Sequence, residues 1–269
     1  NGLRIGSGSM SGTLGVPGTN AIGYQQVNSG QYTTGYLSDV RITNGTALYT
    51  SNFVPQFTNP LSAGSKTTLL TLQTNSSHNT STFNDNSGLN ALITRNGDSN
   101  TGTFSPYGDN WCTAFNGTST DYLTTPYNAL FDFGTGNFTI ECWVYFNAFS
   151  GDDVLAALGP GIDAAPVQRL SAWNLYYGSN NLTFARYAPA YTGYTFSWTP
   201  TTGVWYFVAV SRSGTSLRAF INGSQIGNTQ TASTDFSNIN TTDGFQIGKM
   251  IAGGGTSYYL NGYIDDLRI

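Results

Sequence analysis

Charged side chains are scarce in this chain of 269 residues. Only 9% of its residues are Asp, Glu, Lys or Arg, against about 25% in an ordinary soluble domain. Its 10 Lys and Arg against 14 Asp and Glu give a net charge of −4, so no basic surface is available for nucleic acid or an anionic membrane. The polar surface must come from Asn, Ser, Thr and Gly, a composition that suits a durable protein outside the cell.

Long apolar runs are also missing. The longest, VWYFVAV at residues 204–210, has the length of a strand and falls far short of the roughly 18 residues that span a bilayer. We therefore expect no membrane insertion. The opening NGLRIGSGSM lacks the basic start and apolar stretch of a signal peptide, and we expect it to lie inside a longer polypeptide.

Reactive side chains are few. The single histidine, His78, lies in the polar stretch SSHNTST with no nucleophile at a recognisable spacing, which favours a solvated loop residue. Cys112 and Cys142 lie on segments that resemble strands, and their spacing leaves both a disulfide and two buried thiols open. One His and two well-separated Cys do not make a zinc ligand set.

Short β-branched and aromatic runs dominate what is present, with Asn-Gly and Ser-Gly turns between them. The clearest predicted strands are TTLLTLQ (Thr67 to Gln73), FTIECWVYF (Phe138 to Phe146) and VWYFVAVSR (Val204 to Arg212). Asn222-Gly223 stands between two extended arms in SLRAFINGSQIG, the sequence of a type I′ hairpin. No segment has the periodicity of an amphipathic helix, so the chain is expected to be all-β.

An internal repeat divides the chain. GYLSDVRI (Gly35 to Ile42) returns as GYIDDLRI (Gly262 to Ile269), and upstream LRIGSG (Leu3 to Gly8) loosely matches FQIGKM (Phe245 to Met250). The repeat predicts two modules of one family. Residues 1–61 are expected to be the C-terminal strands and exit segment of a preceding module, and residues 62–269 the body of the second.

Four stretches of the second copy resemble laminin-G-like modules of the concanavalin A-like lectin and glucanase superfamily. They are AFNGTSTDYLTTP (114–126), which looks like a hairpin of the family with Asn116 where Asp is usual, FDFGTGNFTIECWVYF (131–146), GVWYFVAVSRSGTSLRAFINGSQIG (203–227), with Phe207 at a His position, and GYIDDLRI (262–269). The resemblance implies an antiparallel jelly-roll β-sandwich whose alternate strand residues fill the core. Trp143, Trp205 and Phe220 are then expected in that core.

The segment TNGTALYTSNFVPQF (Thr43 to Phe57) resembles the extension that ends such modules in tandem arrays of marine bacteriophage tail, fibre and head-decoration proteins. This resemblance implies a virion or extracellular location and other subunits or modules of the same assembly as partners. The function it implies is a non-enzymatic structural and adhesion module that binds cell-surface glycans. The alternative is a carbohydrate-binding lectin module of a larger secreted enzyme.

Catalysis is disfavoured by the acidic residues. Glucanases of this superfamily place two Glu carboxylates on one strand, one as nucleophile and one as acid, whereas Glu141 is the single Glu here. The pairs Asp152-Asp153 and Asp265-Asp266 are adjacent in sequence, so in a strand their side chains would point to opposite faces. We therefore expect no enzyme activity.

Calcium is the one metal cofactor that the resemblance suggests, because it takes oxygen ligands from loops. Asp85 and Asn90 lie in FNDNSGLN, which resembles an Asp-X-Ser-Gly-X-Asn loop of the family, and Asp266 lies in the closing strand at the position of Asp39 in the first copy. The alternative is that Asp85 caps a turn and Asp266 bonds backbone or pairs with Arg268.

Aromatic side chains are dense between residues 173 and 198. Rings with neighbouring amides and hydroxyls can stack on sugars, although sandwich strands also bury every second residue in their core. Both roles stay open for six candidate glycan ligands: Trp173, Tyr176, Tyr187, Tyr191, Tyr194 and Trp198.

Overall fold

The computed structural model describes residues 21–22, 35–50, 52–54, 61–72, 83–102, 104–107, 112–149, 151–159, 172–187, 190–237, 244–251 and 257–269. These residues form strands and one short 3-10 turn (Ala129–Phe131). None of their helical segments is long and apolar enough to cross a membrane. The strands are β1 (Ala21–Ile22), β2 (Gly35–Asn44), β3 (Thr67–Thr71), β4 (Thr94–Asn96), β5 (Asn100–Gly102), β6 (Cys112–Asn116), β7 (Tyr122–Thr125), β8 (Phe138–Ala148), β9 (Asp153–Leu158), β10 (Trp173–Gly178), β11 (Asn181–Arg186), β12 (Thr192–Ser197), β13 (Trp205–Ser213), β14 (Ser216–Ile221), β15 (Ser224–Thr231), β16 (Phe245–Ile247), β17 (Lys249–Ile251), β18 (Ser257–Tyr259) and β19 (Asn261–Arg268).

Two large sheets form a sandwich. One has nine strands in the order β15-β14-β13-β8-β19-β3-β2-β6-β5, and the other has six in the order β1-β16-β9-β10-β11-β12. Pairs are antiparallel except β1 with β16 and β2 with β19. The predicted all-β sandwich is confirmed, as are the three predicted strands, which correspond to β3, β8 and β13.

Alternation along the strands builds the core between the sheets. In β8 the side chains of every second residue from Phe138 to Phe146 join that core and are fully buried. Each large apolar side chain buried in this way stabilises the fold by about 1.5–3 kcal/mol. The predicted hairpin joins β14 to β15, with Asn222 at φ 49° and Gly223 at φ 78°, and these two positive values identify the type I′ turn.

A second apolar layer lies on the outer face of the nine-stranded sheet. Trp143 and Phe220 are buried there and not between the sheets as expected, because they occupy the alternate positions of their strands. Tyr49 and Phe53 stack on each other with ring centroids 3.5 Å apart, and Phe53 lies 5.7 Å from the ring of Phe220. The segment after β2 therefore covers this face, while Trp205 at its margin is only partly buried.

The expected hairpin at residues 114–126 is not formed. β6 pairs with β5 and β2 in the nine-stranded sheet, whereas β7 pairs with β4 in a separate two-stranded sheet. The chain between them turns at Gly117, whose φ of 78° suits glycine. The segment thus crosses between layers instead of folding back on itself.

Both copies of the repeated strand lie in the nine-stranded sheet. β19 and β2 each pair antiparallel with β8 and also with β3. In the six-stranded sheet, Ala21 of β1 and Gln246 of β16 each pair with Ala157. The described strand that takes the place of β16 is thus Ala21–Ile22, while Leu3 to Gly8 lie outside the described residues. The division of the chain at residue 61 stays a prediction.

Candidate functional site

Four tyrosines and one carboxylate gather on the outer face of the six-stranded sheet. We call them the tyrosine cluster: Tyr176, Tyr187, Tyr191, Tyr258 and Asp152. Strand alternation in β10 places Leu175 in the core between the sheets and Tyr176 on the outer face. There Tyr176 packs with Val154 and Met250, and Tyr258 lies against the same apolar group.

The rings form a graded surface from buried to exposed. Tyr176 is 8% exposed and Tyr191 is 54% exposed, and their hydroxyl oxygens are 3.4 Å apart. The rings of Tyr187 and Tyr191 are tilted by 53° with centroids 5.0 Å apart. Gly193 leaves room for the Tyr191 hydroxyl, since a Cβ at residue 193 would overlap it.

Asp152 gives the cluster its charge. Burial raises the pKa of the Asp152 carboxyl to about 6, and Gly178 leaves the space that the carboxylate fills. Burial, with a smaller contribution from Asp152, raises the pKa of Tyr176, Tyr187 and Tyr258 above the ordinary tyrosine value. The hydroxyls therefore stay protonated near neutral pH and can donate hydrogen bonds beside a carboxylate that accepts them.

The six candidate glycan ligands separate into two groups. Tyr176, Tyr187 and Tyr191 come together in the tyrosine cluster. Trp173, Tyr194 and Trp198 lie instead in the core between the sheets, the alternative that the sequence left open. Strand alternation is the reason, and two of the three have internal hydrogen-bond partners: the Trp173 Nε1–H donates to the Phe131 carbonyl at 3.0 Å, and the Tyr194 hydroxyl lies 2.6 Å from that of Thr234.

Sequence reasoning missed Asp152 and Tyr258 as members of this cluster. In the sequence Asp152 stands out only as the neighbour of Asp153, which begins β9 and is fully buried. Tyr258 is more than 60 residues from Tyr191 in the sequence. Alternation in β10 turns Tyr176 outward, but the sequence does not show which distant side chains share that face, so only the fold shows that these side chains meet.

The predicted calcium ligands already serve protein donors. Asp85 is buried, and each of its carboxylate oxygens accepts two hydrogen bonds, from Leu70 N and Ser87 N at 2.9 Å and from Ser87 Oγ and Ala91 N at 2.9 and 2.7 Å. Donors aimed at these oxygens lie where a cation would bind. The geometry therefore favours the turn-capping alternative, and calcium at this loop stays a prediction.

Asp266 has a similar role in β19. Its Oδ2 accepts hydrogen bonds from Leu61 N at 3.0 Å and from the Tyr107 hydroxyl. Asn90, the third predicted ligand, is exposed and adopts a positive φ of 50° in its turn. Among the residues that the structure describes, no three His, Cys, Asp or Glu side chains come together as a metal site.

Glu141, the single Glu, is fully buried at the middle of β8. Its Oε1 is ion-paired with the guanidinium groups of Arg41 and Arg268. Burial raises the pKa of Glu141 to about 7, and Arg41 opposes this rise. This carboxylate is therefore buried and engaged in ion pairs with the two copies of the repeated strand.

Cys112 and Cys142 are both buried and are not joined by a disulfide. Burial raises the pKa of Cys112 well above the ordinary thiol value, so it carries little thiolate near neutral pH. The remaining reactive side chain considered from the sequence, His78, lies outside the described residues.

A second aromatic surface lies on the opposite side of the sandwich, on the outer face of the nine-stranded sheet. We call it the outer aromatic patch: Phe104, Tyr145, Trp205 and Tyr263. Phe104 is 40% exposed, and its ring lies 4.9 Å from that of Tyr145 and 5.2 Å from that of Tyr263. Within the described part of the chain the Trp205 Nε1–H has no hydrogen-bond acceptor. The sequence placed Trp205 in the core and did not indicate this patch.

Comparisons with known proteins identify a family. The family model Laminin_G_3, described as the concanavalin A-like lectin/glucanases superfamily, matches residues 116–269, which is more than half of the chain. None of the curated proteins matches the sequence.

Three solved structures have similar folds. The sialidase CBM40 of Ruminococcus gnavus, bound to α2,3-sialyllactose, has a TM-score of 0.38 and 19% identity over 47% of this chain and 71% of that one. The binding domain of Paraclostridial Mosquitocidal Protein 1 has a TM-score of 0.46 and 12% identity over 67% of this chain and 46% of that one. A receptor binding domain has a TM-score of 0.44 and 17% identity over 73% of this chain and 48% of that one. The chain thus spans less than half of the last two structures, and at these TM-scores their ligands do not extend to it.

Proposed function

Since the chain belongs to the concanavalin A-like lectin/glucanases superfamily, we propose that it is a non-enzymatic module that binds glycans through the tyrosine cluster. The observation that carries the proposal is the convergence of Tyr176, Tyr187 and Tyr191 on one outer face beside Asp152. An exposed ring offers a stacking surface for the apolar face of a sugar. The hydroxyls and the carboxylate offer the donors and the acceptor that orient it.

The charge of the site favours a neutral sugar. Asp152 accepts hydrogen bonds from sugar hydroxyls, whereas an anionic sugar would meet its negative charge and the net charge of −4 of the chain. The ligand class proposed is therefore a neutral hexose or hexosamine unit of a cell-surface glycan.

The absence of catalysis is proposed from the acidic residues. Glu141 is held by Arg41 and Arg268 within the sheet. The Oδ2 of Asp265 accepts a hydrogen bond from Ser105 at 2.7 Å, and Asp266 accepts from Leu61 and Tyr107. Glycoside hydrolysis needs two carboxyls on either side of one sugar bond, and these carboxylates are each engaged inside the protein.

The location and partners proposed follow from the surface and the segment after β2. A low content of charged residues and a segment that resembles the tandem modules of bacteriophage structural proteins support a virion or other extracellular assembly, with further modules or subunits as partners. In such an assembly, the tyrosine cluster would serve adhesion to a cell that carries glycans on its surface.

A glycan array on the full chain tests the proposal, with two matched aromatic variants. Tyr191→Ala should abolish binding to neutral glycans because it removes the exposed ring, and it should leave the melting temperature unchanged because 54% of this side chain is exposed. Phe104→Ala, in the outer aromatic patch on the opposite sheet, should keep binding. Binding that survives Tyr191→Ala and is lost in Phe104→Ala would move the site to the other face and overturn the assignment.

A further inference from the structure

Two strands of this chain share one position in the nine-stranded sheet. Tyr145 of β8 pairs with Tyr263 of β19 and also with Tyr36 of β2. Trp143 pairs likewise with both Asp265 and Ser38. β2 and β19 are the two copies of the repeated sequence, and they have the same register on β8.

The two strands also share an irregularity and a second neighbour. The register on β8 shifts between Asp265 and Arg268 in β19 and between Ser38 and Arg41 in β2, which are equivalent steps of the repeat. On β3, Thr71 pairs with Leu267 and with Val40. The two strands are therefore equivalent in their register on β8 and at Leu70 and Thr71 of β3.

Equivalent arginine side chains of the two strands also contact the same partners. Arg41 and Arg268 both reach Oε1 of Glu141, and both donate to the Tyr49 hydroxyl, at 2.7 and 3.1 Å. One carboxylate oxygen is thus offered to two equivalent guanidinium groups. The six-stranded sheet shows the same duplication, because Ala21 and Gln246 both pair with Ala157 of β9.

A β-strand edge can satisfy only one neighbouring strand at a time, because it presents a single row of N–H and C=O groups. The opposite edge of β8 is already paired with β13. β2 and β19 are therefore alternative occupants of one position, and each chain carries one closing strand more than its own sandwich can use.

We propose that β19 closes the sandwich of this chain and that β2, with β1, closes a second laminin-G-like sandwich, which is the partner of this part of the chain. The buried side chains of Val40 and Ile42 and the charge of Arg41 define what that partner must offer. It needs an apolar sandwich interior and a strand equivalent to β8 with a carboxylate at the position of Glu141. A module of the same family has these features.

Hydrogen exchange on the full chain tests which strand is spare. The amides of β19 should exchange about 100-fold more slowly than those of β2, because only a strand held in a ladder is protected by global stability. Equal protection of both strands would mean that both are held in one closed domain, and the proposal would be wrong.

A matched pair of substitutions gives an independent readout. Arg268→Ala should lower the melting temperature of the full chain by several degrees, because it leaves the buried carboxylate of Glu141 without the guanidinium of its resident strand. Arg41→Ala, the same change at the equivalent position, should have no effect. Equal losses, or a loss confined to Arg41→Ala, would contradict the assignment of β19 as the resident strand.

The proposed partner of β1 and β2 is tested by joining a second, incomplete sandwich to the chain. Residues 62–245 of a second copy joined to residue 21 would provide a sandwich that β1 and β2 can complete, since Ala21 takes the place of Gln246. In this tandem chain Arg41→Ala should become as destabilising as Arg268→Ala, and β2 should become protected from exchange. If Arg41→Ala leaves the melting temperature of the tandem chain unchanged and the amides of β2 still exchange fast, a laminin-G-like sandwich is not the partner of β2.

Discussion

At the scale of single residues, the carboxylates of this chain show how burial decides what a group does. Asp85 and Asp152 are both acidic loop residues, and the sequence predicts calcium binding for the first and no site for the second. Asp85 accepts four hydrogen bonds from its own loop and from β3, whereas burial raises the pKa of Asp152 to about 6 beside tyrosine rings. The first is a structural cap, and the second is a polar group of the proposed site.

Replacing Asp85 by Ala should lower the free energy of unfolding by about 3 kcal/mol, because three backbone N–H groups lose their acceptor. Urea unfolding in calcium and in chelator measures this loss. The same loss in both buffers is expected from a cap. A wild-type chain that is stabilised by calcium while the Asp85→Ala variant is not would instead support the metal role.

Asp152 should make stability depend on pH. Its pKa is raised in the folded state, so the protonated form is favoured by folding, and stability falls as pH rises from about 4 to about 6. Asp152→Asn should remove this fall and be about 2 kcal/mol more stable than the wild type at pH 7.5, a gap that closes at pH 4. Parallel pH profiles for the two proteins in urea unfolding would show that the Asp152 carboxyl is not buried in the folded protein.

At the scale of elements, sequence patterns predict the strands that are regular. β8 alternates apolar and polar residues from Phe138 to Cys142, β13 opens with an unbroken apolar run of strand length, and Asn222-Gly223 identifies the hairpin after β14, so local sequence was sufficient. The pairing of β6 and β7 was wrong, because partner choice depends on layers that distant segments form. For the same reason three of six glycan candidates lie in the core: period-2 burial is visible in a sequence only when the register is known.

The hairpin offers a test at this scale. Gly223→Ala should lower the free energy of unfolding by about 1–2 kcal/mol, because a Cβ is strained at a φ of 78°. Gly88→Ala is the control, since a Cβ there would meet no atom within 4 Å and its φ is not in the left-handed region. Thermal unfolding of both variants measures the difference, and equal melting temperatures would argue against the type I′ turn.

At the scale of the whole molecule, the sandwich separates three surfaces. The tyrosine cluster lies outside the six-stranded sheet, the outer aromatic patch lies outside the nine-stranded sheet, and the closing-strand position lies within that sheet. A module arranged in this way can bind a sugar on one side while its spare strand joins it to a neighbour. Adhesion and assembly then use different surfaces and can be tested separately.

Arg212 holds one end of the sandwich together. It follows Val208 and Val210 on the inward face of β13, is fully buried, and lies between the rings of Phe138 and Phe236 at 5.1 and 4.8 Å. Its guanidinium donates to the carbonyls of Gly134 and Gly136 before β8 and to that of Thr234 after β15, at 2.6–2.8 Å. One planar group thus joins two loops and a strand.

Lysine cannot reproduce this arrangement, because its ammonium is a single point and not a planar fork. Arg212→Lys should therefore lower the free energy of unfolding by about 3 kcal/mol, as buried carbonyls lose their donors. Arg186→Lys is the matched control, because Arg186 reaches the same loop through one exposed hydrogen bond to the Asp235 carbonyl at 2.5 Å, and it should lose less than about 1 kcal/mol. Urea unfolding measures both variants, and equal small losses would show that the two loops are held by apolar packing and not by the guanidinium.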